Sequence, residues 1–424
     1  MAKIMRIGIV GAGIRGCFVL GSAIVKQSGN LNLQITYICD INEGRISDAL
    51  THLDQECKAY GVAWPPIRTT TAYKELIDSS LVDLVVVTTH TDQHRGPAEY
   101  ALHVGKRLYL DKPISVSLED AEAIVSSAEE HKSSIVMGFT RRYESSWRKA
   151  KELLDSGVIG SLSMMQIRSI IPYTRYYQTW HRRTEMSGGA LNDKVSHLLD
   201  VFNWMVKDSS CIFVSAVGGD SNIFPKYEER KGLRCINCKD GACSYRRVHK
   251  ENSQNFTKVL ELPSWREATD ERSVPDYCIY APGRDIIDHV SGNYVYENGV
   301  KACLFWAIYG PGTADEETLE LVGSRGRIIL ERATGHVTVH TIDEGPYAVT
   351  TTTYDMRNNA FMGSHFGADT QLVSDIRAVF DGATIKDLGC ASIDDGYRSL
   401  QMVLATEKSI GQDAAPVYLD KIKM

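Results

Sequence analysis

The sequence of 424 residues, 43% hydrophobic and 24% charged, has the composition of a globular protein with room for two or three domains and excludes a disordered chain. Its net charge of −6 argues against a dedicated nucleic-acid or polyanion binder. No apolar run reaches the roughly 18 to 20 residues that span a bilayer, and we expect no signal or transit peptide, since the first residues run directly into a strand-like segment. The ten scattered cysteines indicate reduced thiols, so we expect a cytoplasmic protein without a membrane partner.

The first third of the sequence alternates strand-like and helix-like segments. Apolar runs that are typical of buried strands occupy residues 6–10, 33–39, 82–89, 107–110 and 134–139. Helical periodicity, as at residues 14–26, lies between most of them. This alternation predicts an α/β domain over residues 1–139, with a parallel sheet covered by helices on both faces.

The remaining sequence, residues 140–424, has a different pattern. Strand-like runs follow one another directly at residues 163–171, 293–297, 301–309, 327–330 and 336–341. Helices are expected at residues 145–154, 369–380 and 393–410, and a last short strand at 416–419. This order predicts an α+β domain with a mostly antiparallel sheet, interrupted by a polar, cysteine-bearing insertion at about residues 218–284.

A glycine motif marks the start of the first domain. Gly11, Gly13 and Gly16 follow a strand and open a helix, with Ile14 and Arg15 between them. In a dinucleotide-binding Rossmann fold, these glycines allow a tight turn, close approach of the pyrophosphate, and close packing of helix on strand. Asp40 ends the second strand, where an acid that binds the ribose hydroxyls is expected. Because Asp40 would repel a 2′-phosphate, we expect NAD(H) rather than NADP(H).

Further candidates lie at the carboxyl ends of the strand-like runs 82–89 and 107–110, because the carboxyl ends of strands line the ligand crevice of such a sheet. Thr88, Thr89 and His94 lie at the end of the run 82–89 or just after it and are candidates for cofactor contacts. Asp111 and Lys112 follow the run 107–110, and the proline after them biases Lys112 to an extended conformation. We therefore expect Lys112 to point into the crevice near the nicotinamide.

A helix in the second domain carries the other candidate chemistry. Asp193 and His197 are four residues apart and lie on the same face of the predicted helix, away from its apolar stripe. An acid one turn before a histidine can fix the orientation of the ring and raise its basicity. A solvated polar face with one histidine is the alternative interpretation.

Together these motifs resemble the glucose–fructose oxidoreductase/inositol dehydrogenase/rhizopine catabolism (Gfo/Idh/MocA) family. The resemblance rests on the glycine motif, on Asp111-Lys112-Pro113 and on Asp193-x-x-x-His197, and it extends over nearly the whole chain. It implies a Rossmann domain followed by an open antiparallel sheet, and a homodimer or homotetramer. The family's usual Glu-Lys-Pro has Asp111 here, and its Asp-x-Gly-x-His has Lys194 and no glycine.

The resemblance also implies a mechanism. NAD⁺ accepts a hydride from a carbinol carbon while a base removes the hydroxyl proton. His197, oriented by Asp193, is our candidate base, and Lys112 would stabilise alkoxide character; Lys112 itself is the alternative base. Five further residues are candidates for the pocket of a small carbohydrate or polyol substrate: Tyr143, Trp180, His181, Arg182 and Lys194.

The expected function is oxidation of a ring hydroxyl of a sugar, glycoside or cyclic polyol. Some relatives instead hydrolyse glycosides, using transient oxidation, elimination and return of the hydride to a recycled NAD. Other members of this fold family are sugar-responsive regulators that bind the dinucleotide without turnover. Lys112 and His197 together favour an enzyme over a regulator.

Four cysteines of the insertion predict a structural zinc site. Cys235, Cys238 and Cys243 have the close spacing that Zn²⁺ requires, and Cys278 is the expected fourth ligand. His249 is the alternative fourth ligand. Reduced surface thiols on a loop are the other interpretation.

Overall fold

The computed structural model describes residues 3–133, 135–246, 262–357 and 364–419, which form two sheets. The first sheet has six parallel strands in the order β3-β2-β1-β4-β5-β6. Its strands are β1 (Met5–Val10), β2 (Leu33–Cys39), β3 (Arg68–Thr70), β4 (Leu84–Val87), β5 (Arg107–Leu110) and β6 (Ile135–Met137). The predicted parallel α/β sheet is confirmed.

Helices cover both faces of this sheet. They are α1 (Ser22–Leu31), α2 (Glu43–Tyr60), α3 (Tyr73–Asp78), α4 (Arg95–His103) and α5 (Leu118–Glu130). The segment predicted as one helix after the glycine motif begins as a π-helix, Ile14–Gly21, and continues as α1. Two apolar clusters pack on opposite faces of the strands. Because all the strands are parallel, their carboxyl ends lie at one edge of the sheet.

The second sheet has nine strands in the order β14-β13-β12-β11-β7-β10-β9-β8-β15. Only β7 and β10 pair in parallel, so the sheet is open and mostly antiparallel, as predicted. Its strands are β7 (Leu162–Ile170), β8 (Cys211–Gly219), β9 (His289–Tyr296), β10 (Lys301–Ala307), β11 (Glu317–Gly323), β12 (Gly326–Glu331), β13 (His336–Ile342), β14 (Val349–Asp355) and β15 (Val417–Tyr418).

One face of this sheet packs against α6 (Ser145–Asp155), α8 (Ser196–Val206) and α11 (Ile393–Ile410), and the other face carries exposed apolar side chains. Three further helices lie elsewhere: α7 (Thr184–Ser187), α9 (Pro263–Arg266), which packs on α2, and α10 (Ala368–Phe380), which packs on α1. A π-helical segment, Leu191–Val195, leads into α8. The cluster beneath the sheet includes Trp306 and Phe202, while Phe305 on the opposite face is half exposed.

All ten cysteines lie within the described residues, and none of them forms a disulfide. Among the helices that the structure describes, none combines the length and apolar composition needed to cross a membrane.

Candidate active site

The glycine motif has the geometry of a phosphate-binding turn. Gly11 has a φ of +105°, and a Cβ there would lie 2.7 Å from the carbonyl of Thr88. A Cβ at Gly16 would lie 2.3 Å from the Gly11 oxygen, because helix and strand pack closely there. Next to Gly13, by contrast, no atom lies within 4 Å of an added Cβ. The open side of the turn therefore fits a pyrophosphate at the start of the following helical segment.

Asp40 and Thr89 flank this turn. One oxygen of Asp40 accepts from the Ala12 N–H at 2.8 Å, and the other accepts from the Asn42 N–H at 2.9 Å. Burial raises the pKa of Asp40, and these two backbone hydrogen bonds oppose the rise. The Thr89 hydroxyl is buried and has no hydrogen-bond partner among the described residues. An unsatisfied buried hydroxyl beside an open glycine turn fits a bound dinucleotide, so these residues can hold NAD(H).

The insertion contacts the segments that follow β2 and β4 on either side of the glycine turn. The ring centroid of Trp265 lies 3.4 Å from the guanidinium of Arg45, in the first turn of α2 after β2, and Arg272 pairs with Asp92 after β4 at 2.7 Å. Because the sheet order is β2-β1-β4, residues 263–273 bridge the two sides of the cofactor crevice. We call residues 263–273 the strap.

Arg15 connects the glycine motif to both parts of the chain. Its guanidinium donates to Asp111 at 3.1 Å, to Tyr109 at 3.0 Å and to Asp369 of α10 at 2.5 Å. Two carboxylates therefore compensate its charge, and the side chain is engaged in the junction rather than directed at the open side of the turn.

Lys112 and Asp193 form an ion pair across the two sheets. The Lys112 ammonium donates to the Asp193 carboxylate at 2.8 Å and to the Asp193 carbonyl at 2.7 Å. Tyr176 donates to the other carboxylate oxygen of Asp193. His181 Nε2 lies 3.9 Å from the oxygen that Lys112 binds. Burial would raise the pKa of Asp193, but the charge and hydrogen bond of Lys112, together with His181 and Lys194, outweigh burial and hold that pKa well below its usual range. The pair thus presents a fixed ammonium at the carboxyl edge of β5.

His197 lies beside this pair but is not held by Asp193. Its Nδ1 is buried and has no hydrogen-bond partner among the described residues, and its ring packs edge-on against Phe139. Burial lowers the pKa of His197 well below its usual value, and the charges of Lys112 and Arg141 lower it further. The expectation that Asp193 orients His197 is therefore corrected: the carboxylate binds Lys112 and Tyr176, and His197 is a neutral imidazole with a free nitrogen.

Lys194 follows Asp193 and is also buried, with 8% of its surface exposed. Its ammonium lies 4.2 Å from the ring centroid of Tyr173. Burial lowers the pKa of Lys194 to about 8, and the charge of Lys194 lowers the pKa of Tyr173 to about 8.

A buried network of two arginines and two glutamates lies close to Lys194. Arg141 donates to Glu317 at 2.7 and 3.0 Å, and Arg332 donates to Glu144 at 2.8 Å through two nitrogens. Burial would raise the pKa of Glu317, but the two arginines lower it to about 2. The four charges compensate one another.

Several predicted site residues have structural partners elsewhere. Tyr143 is a core residue whose hydroxyl donates to the Met137 carbonyl at 3.2 Å. Arg182 is 3% exposed, donates to the carbonyls of residues 281 and 282, and lies over Tyr277 at 4.7 Å. We therefore leave Tyr143 and Arg182 out of the proposed substrate pocket.

Two other predicted residues shape the crevice by packing. The Thr88 hydroxyl donates to the Gly11 carbonyl at 3.1 Å. His94 is 1% exposed, and its two ring nitrogens lie 2.9 Å from the Pro113 carbonyl and 3.2 Å from the Thr89 carbonyl. His94 thereby fixes the loop after β4 relative to the Lys112–Pro113 loop.

Trp180 and His181 lie beside the Lys112–Asp193 pair. Their rings are 4.2 Å apart, and Trp180 also packs at 4.5 Å from the ring of His90, near the strap. Burial lowers the pKa of His181 to about 3, so the ring is neutral.

Sequence reasoning did not identify Tyr173 and Tyr176. Both belong to the tyrosine-rich stretch after β7, and Tyr176 lies in a 3₁₀ turn. Their irregular loop gives no periodic signal, although the density of tyrosines directly after a strand was visible in the sequence.

The zinc prediction has no support in the described residues, which contain no cluster of three or more metal-binding side chains. The Cys235 sulfur accepts from Gln178 at 3.4 Å, and the Cys278 sulfur accepts from Arg230 at 3.7 Å. Cys238 and Cys243 are partly exposed on the preceding loop. His249 lies outside the described residues.

Two family models match the chain. Residues 5–139 match a model described as "Oxidoreductase family, NAD-binding Rossmann fold". Residues 151–419 match one described as "Oxidoreductase family, C-terminal alpha/beta domain". Together they cover most of the sequence.

Individual relatives are more distant. An inositol 2-dehydrogenase of Salmonella typhimurium is 26% identical over 200 residues, 46% of this chain and 54% of that protein, so the chain spans about half of its length. An inositol 2-dehydrogenase/D-chiro-inositol 3-dehydrogenase of Lactiplantibacillus plantarum is 26% identical over 317 residues, 69% of this chain and 85% of that protein. The structure of a levoglucosan dehydrogenase with NADH and levoglucosan matches with a TM-score of 0.70 and 15% identity, over 99% of this chain and 100% of that one, which shows the shared fold.

Proposed function

This chain belongs to the Gfo/Idh/MocA family of NAD-binding oxidoreductases, and we propose that it is a dehydrogenase for a ring hydroxyl of a sugar, glycoside or cyclic polyol. The observation that carries the proposal is the Lys112–Asp193 pair at the carboxyl edge of β5, beside the open side of the glycine turn. Ligands of open parallel sheets bind at this edge.

The cofactor is NAD(H), held at its phosphates by the turn around Gly13 and at its ribose by Asp40. The Asp40 carboxylate is anchored by two backbone N–H groups and accepts hydrogen bonds from neutral ribose hydroxyls. A 2′-phosphate at the same place would meet an anion. The unsatisfied hydroxyl of Thr89 provides one more donor or acceptor toward the cofactor.

Bound NAD⁺ supplies the hydride acceptor. Lys112 donates a hydrogen bond to the reacting oxygen and stabilises its negative charge as the proton leaves. His197 is the proton acceptor because its imidazole is neutral and its Nδ1 has no partner among the described residues. Asp193 and Tyr176 position Lys112.

The activities of the related dehydrogenases support a polyol or sugar substrate, and so do the side chains around the Lys112–Asp193 pair. Trp180 offers an aromatic face, and aromatic faces pack against the C–H faces of sugar rings. His181, neutral and next to Asp193, offers a hydrogen-bonding group for a further hydroxyl.

We also propose that the chain forms a homo-oligomer through the outer face of the nine-stranded sheet. Three large apolar side chains lie on that face: Phe305 of β10 is 50% exposed, Val217 of β8 57% and Met164 of β7 54%. Phe305 and Val217 both pair with Ser291 of β9, and Met164 pairs with Lys301, four residues from Phe305 along β10. Such an exposed apolar patch is typical of an interface. Light scattering of the wild type and of Phe305→Lys tests this: a dimer or tetramer that dissociates supports it, and a monomeric wild type contradicts it.

The test of the enzymatic proposal is incubation with NAD⁺ and a panel of sugars, inositols and aryl glycosides, with absorbance at the NADH band and aglycone release measured together. Lys112→Met and His197→Ala should abolish turnover and leave NADH binding, measured by fluorescence, within about twofold of wild type. The exposed Lys58→Met is the matched control.

NADH formation with a member of the panel supports the dehydrogenase. Aglycone release without net NADH would replace it with the hydrolase that recycles its cofactor. NADH binding without turnover of any member would favour a regulator, and full activity of both variants would refute the site.

A further inference from the structure

Lys194 is a buried cation that has no counter-charge among the described residues. It is more than nine-tenths buried, and no hydrogen bond or ion pair to its ammonium exists within the described residues. The ammonium lies against the face of Tyr173, which covers a single side of it. An ammonium carries three donors, so most of its hydrogen-bonding capacity is unused within the described part of the chain.

The neighbouring charges do not satisfy it. Lys112 already occupies the Asp193 carboxylate, and Arg141 occupies Glu317. The second arginine of the buried network, Arg332, is paired with Glu144. Because each of these three ion pairs is neutral overall, the charge of Lys194 gives this region an excess positive charge.

Glu316 is the other acid near this region. It is half buried, burial raises its pKa, and it makes no ion pair with Lys194 in the described part of the chain. Burying an unpaired charge is costly, so a lysine that is retained in this position implies a partner that arrives with the ligand.

We propose that Lys194 binds a carboxylate of the substrate, so that the enzyme acts on acidic sugars such as uronates or aldonates. This inference rests on the proposed dehydrogenase function and narrows its substrate class. A single lysine matches the single charge of a carboxylate better than the roughly −1.5 to −2 charge of a phosphate monoester. Lys194 is one residue away from Asp193 in the same helical segment, and Asp193 binds Lys112. A carboxylate anchored by Lys194 would therefore fix the sugar ring relative to Lys112.

The experiment measures discrimination between an acid and its neutral isostere. Glucuronate and glucuronamide, galacturonate and galacturonamide, glucose 6-phosphate and myo-inositol are titrated at pH 7 into the enzyme–NADH complex by calorimetry. The same compounds are tested for turnover with NAD⁺. The readout is the ratio of the dissociation constants for amide and acid.

A charge-assisted hydrogen bond in a buried site predicts that the wild type prefers the acid by about 10- to 100-fold. Lys194→Met should reduce this ratio to about 1, and Lys194→Arg should keep most of it. Lys58→Met, an exposed lysine of α2, is the matched control and should keep the wild-type ratio. Circular dichroism and NADH binding verify that each variant is folded.

The outcomes separate this inference from the proposed function. Turnover of neutral sugars with a wild-type ratio near 1 would overturn the carboxylate site and leave the dehydrogenase intact. A preference for glucose 6-phosphate over glucuronate would also overturn it. A Lys194→Met variant that loses kcat but keeps the wild-type ratio would show that Lys194 acts on the reaction and not on the acid. No turnover of any compound would contradict the proposed function itself.

Discussion

Replacing Asp193 by asparagine should disturb the position of Lys112, and with it kcat, without changing the binding of the cofactor. The Lys112 ammonium donates to both the Asp193 carboxylate, at 2.8 Å, and the Asp193 carbonyl, at 2.7 Å. The substitution removes the charge-assisted bond and leaves the carbonyl bond in place. A hydrogen bond to a charged group contributes about 1.5 to 3 kcal/mol. That range corresponds to a loss of about 10- to 150-fold in the population of correctly placed Lys112.

We therefore expect kcat of Asp193→Asn to fall by about 10- to 100-fold, while the NADH dissociation constant stays within about twofold of wild type. Asp193→Glu keeps the carboxylate charge but places it one methylene farther from the backbone. Its kcat should therefore lie between those of Asp193→Asn and the wild type. Steady-state kinetics and NADH fluorescence titration provide the two measurements.

The pH dependence supplies an independent check. Because the pKa of Asp193 lies well below its usual range, Asp193 is ionised throughout the assay range and the acid limb of the wild-type profile should not belong to it. A wild-type kcat for Asp193→Asn, or a large loss of NADH binding, would refute the positioning role.

Three further predictions concern other parts of the molecule. Glu317→Gln leaves Arg141 without its buried counter-charge, so urea unfolding should show a loss of about 3 to 5 kcal/mol; a change below 1 kcal/mol would contradict this. Because the pKa of Glu317 is lowered to about 2, its stabilisation is present above its unfolded-state pKa near 4.3 and is lost as pH falls toward 2, which acid titration of the wild type but not of Glu317→Gln should show. Asp40→Asn should raise the NADH dissociation constant about tenfold and bring NADPH binding closer to it, and an unchanged preference for NADH in fluorescence titration would rule out its role. Arg272→Ala breaks the partly exposed pair with Asp92 and should speed NADH release about twofold to fivefold in stopped-flow measurements. An unchanged rate would show that the strap does not control cofactor release.

Local sequence patterns predicted five of the six strands in the nucleotide half of the fold. Short apolar runs separated by helical segments specify a parallel sheet, and the spacing of Gly11, Gly13 and Gly16 specifies the turn, since each position depends on near neighbours in the chain. Strands β3, β8, β11 and β14 were not among the predicted strands. In β14 nearly every residue is exposed, so the alternation that marks a half-buried strand is missing.

The site was predictable only in part. Lys112 and Asp193 were both named from the sequence, but their mutual contact spans 81 residues and no local pattern reports it. The four-residue spacing pointed instead to an Asp193–His197 contact. Asp193 lies in a π-helical segment, whose i→i+5 hydrogen bonding makes a wider turn and changes the angular offset between residues four apart. Arg15 likewise donates to Asp369, which is 354 residues away in the sequence, and no local pattern reports this contact either.

The Lys112–Asp193 pair has a mechanical consequence, because its partners belong to different units. Lys112 follows β5 of the first sheet, and Asp193 lies in the helical segment that leads into α8. A relative shift of about 1 Å between the two units would break a 2.8 Å hydrogen bond while leaving each unit internally intact. In the proposed mechanism, turnover therefore requires that the two units stay aligned, in addition to the residues at the reacting centre. A compound that wedges between them, far from both cofactor and substrate, would act as an inhibitor that neither ligand can displace by competition.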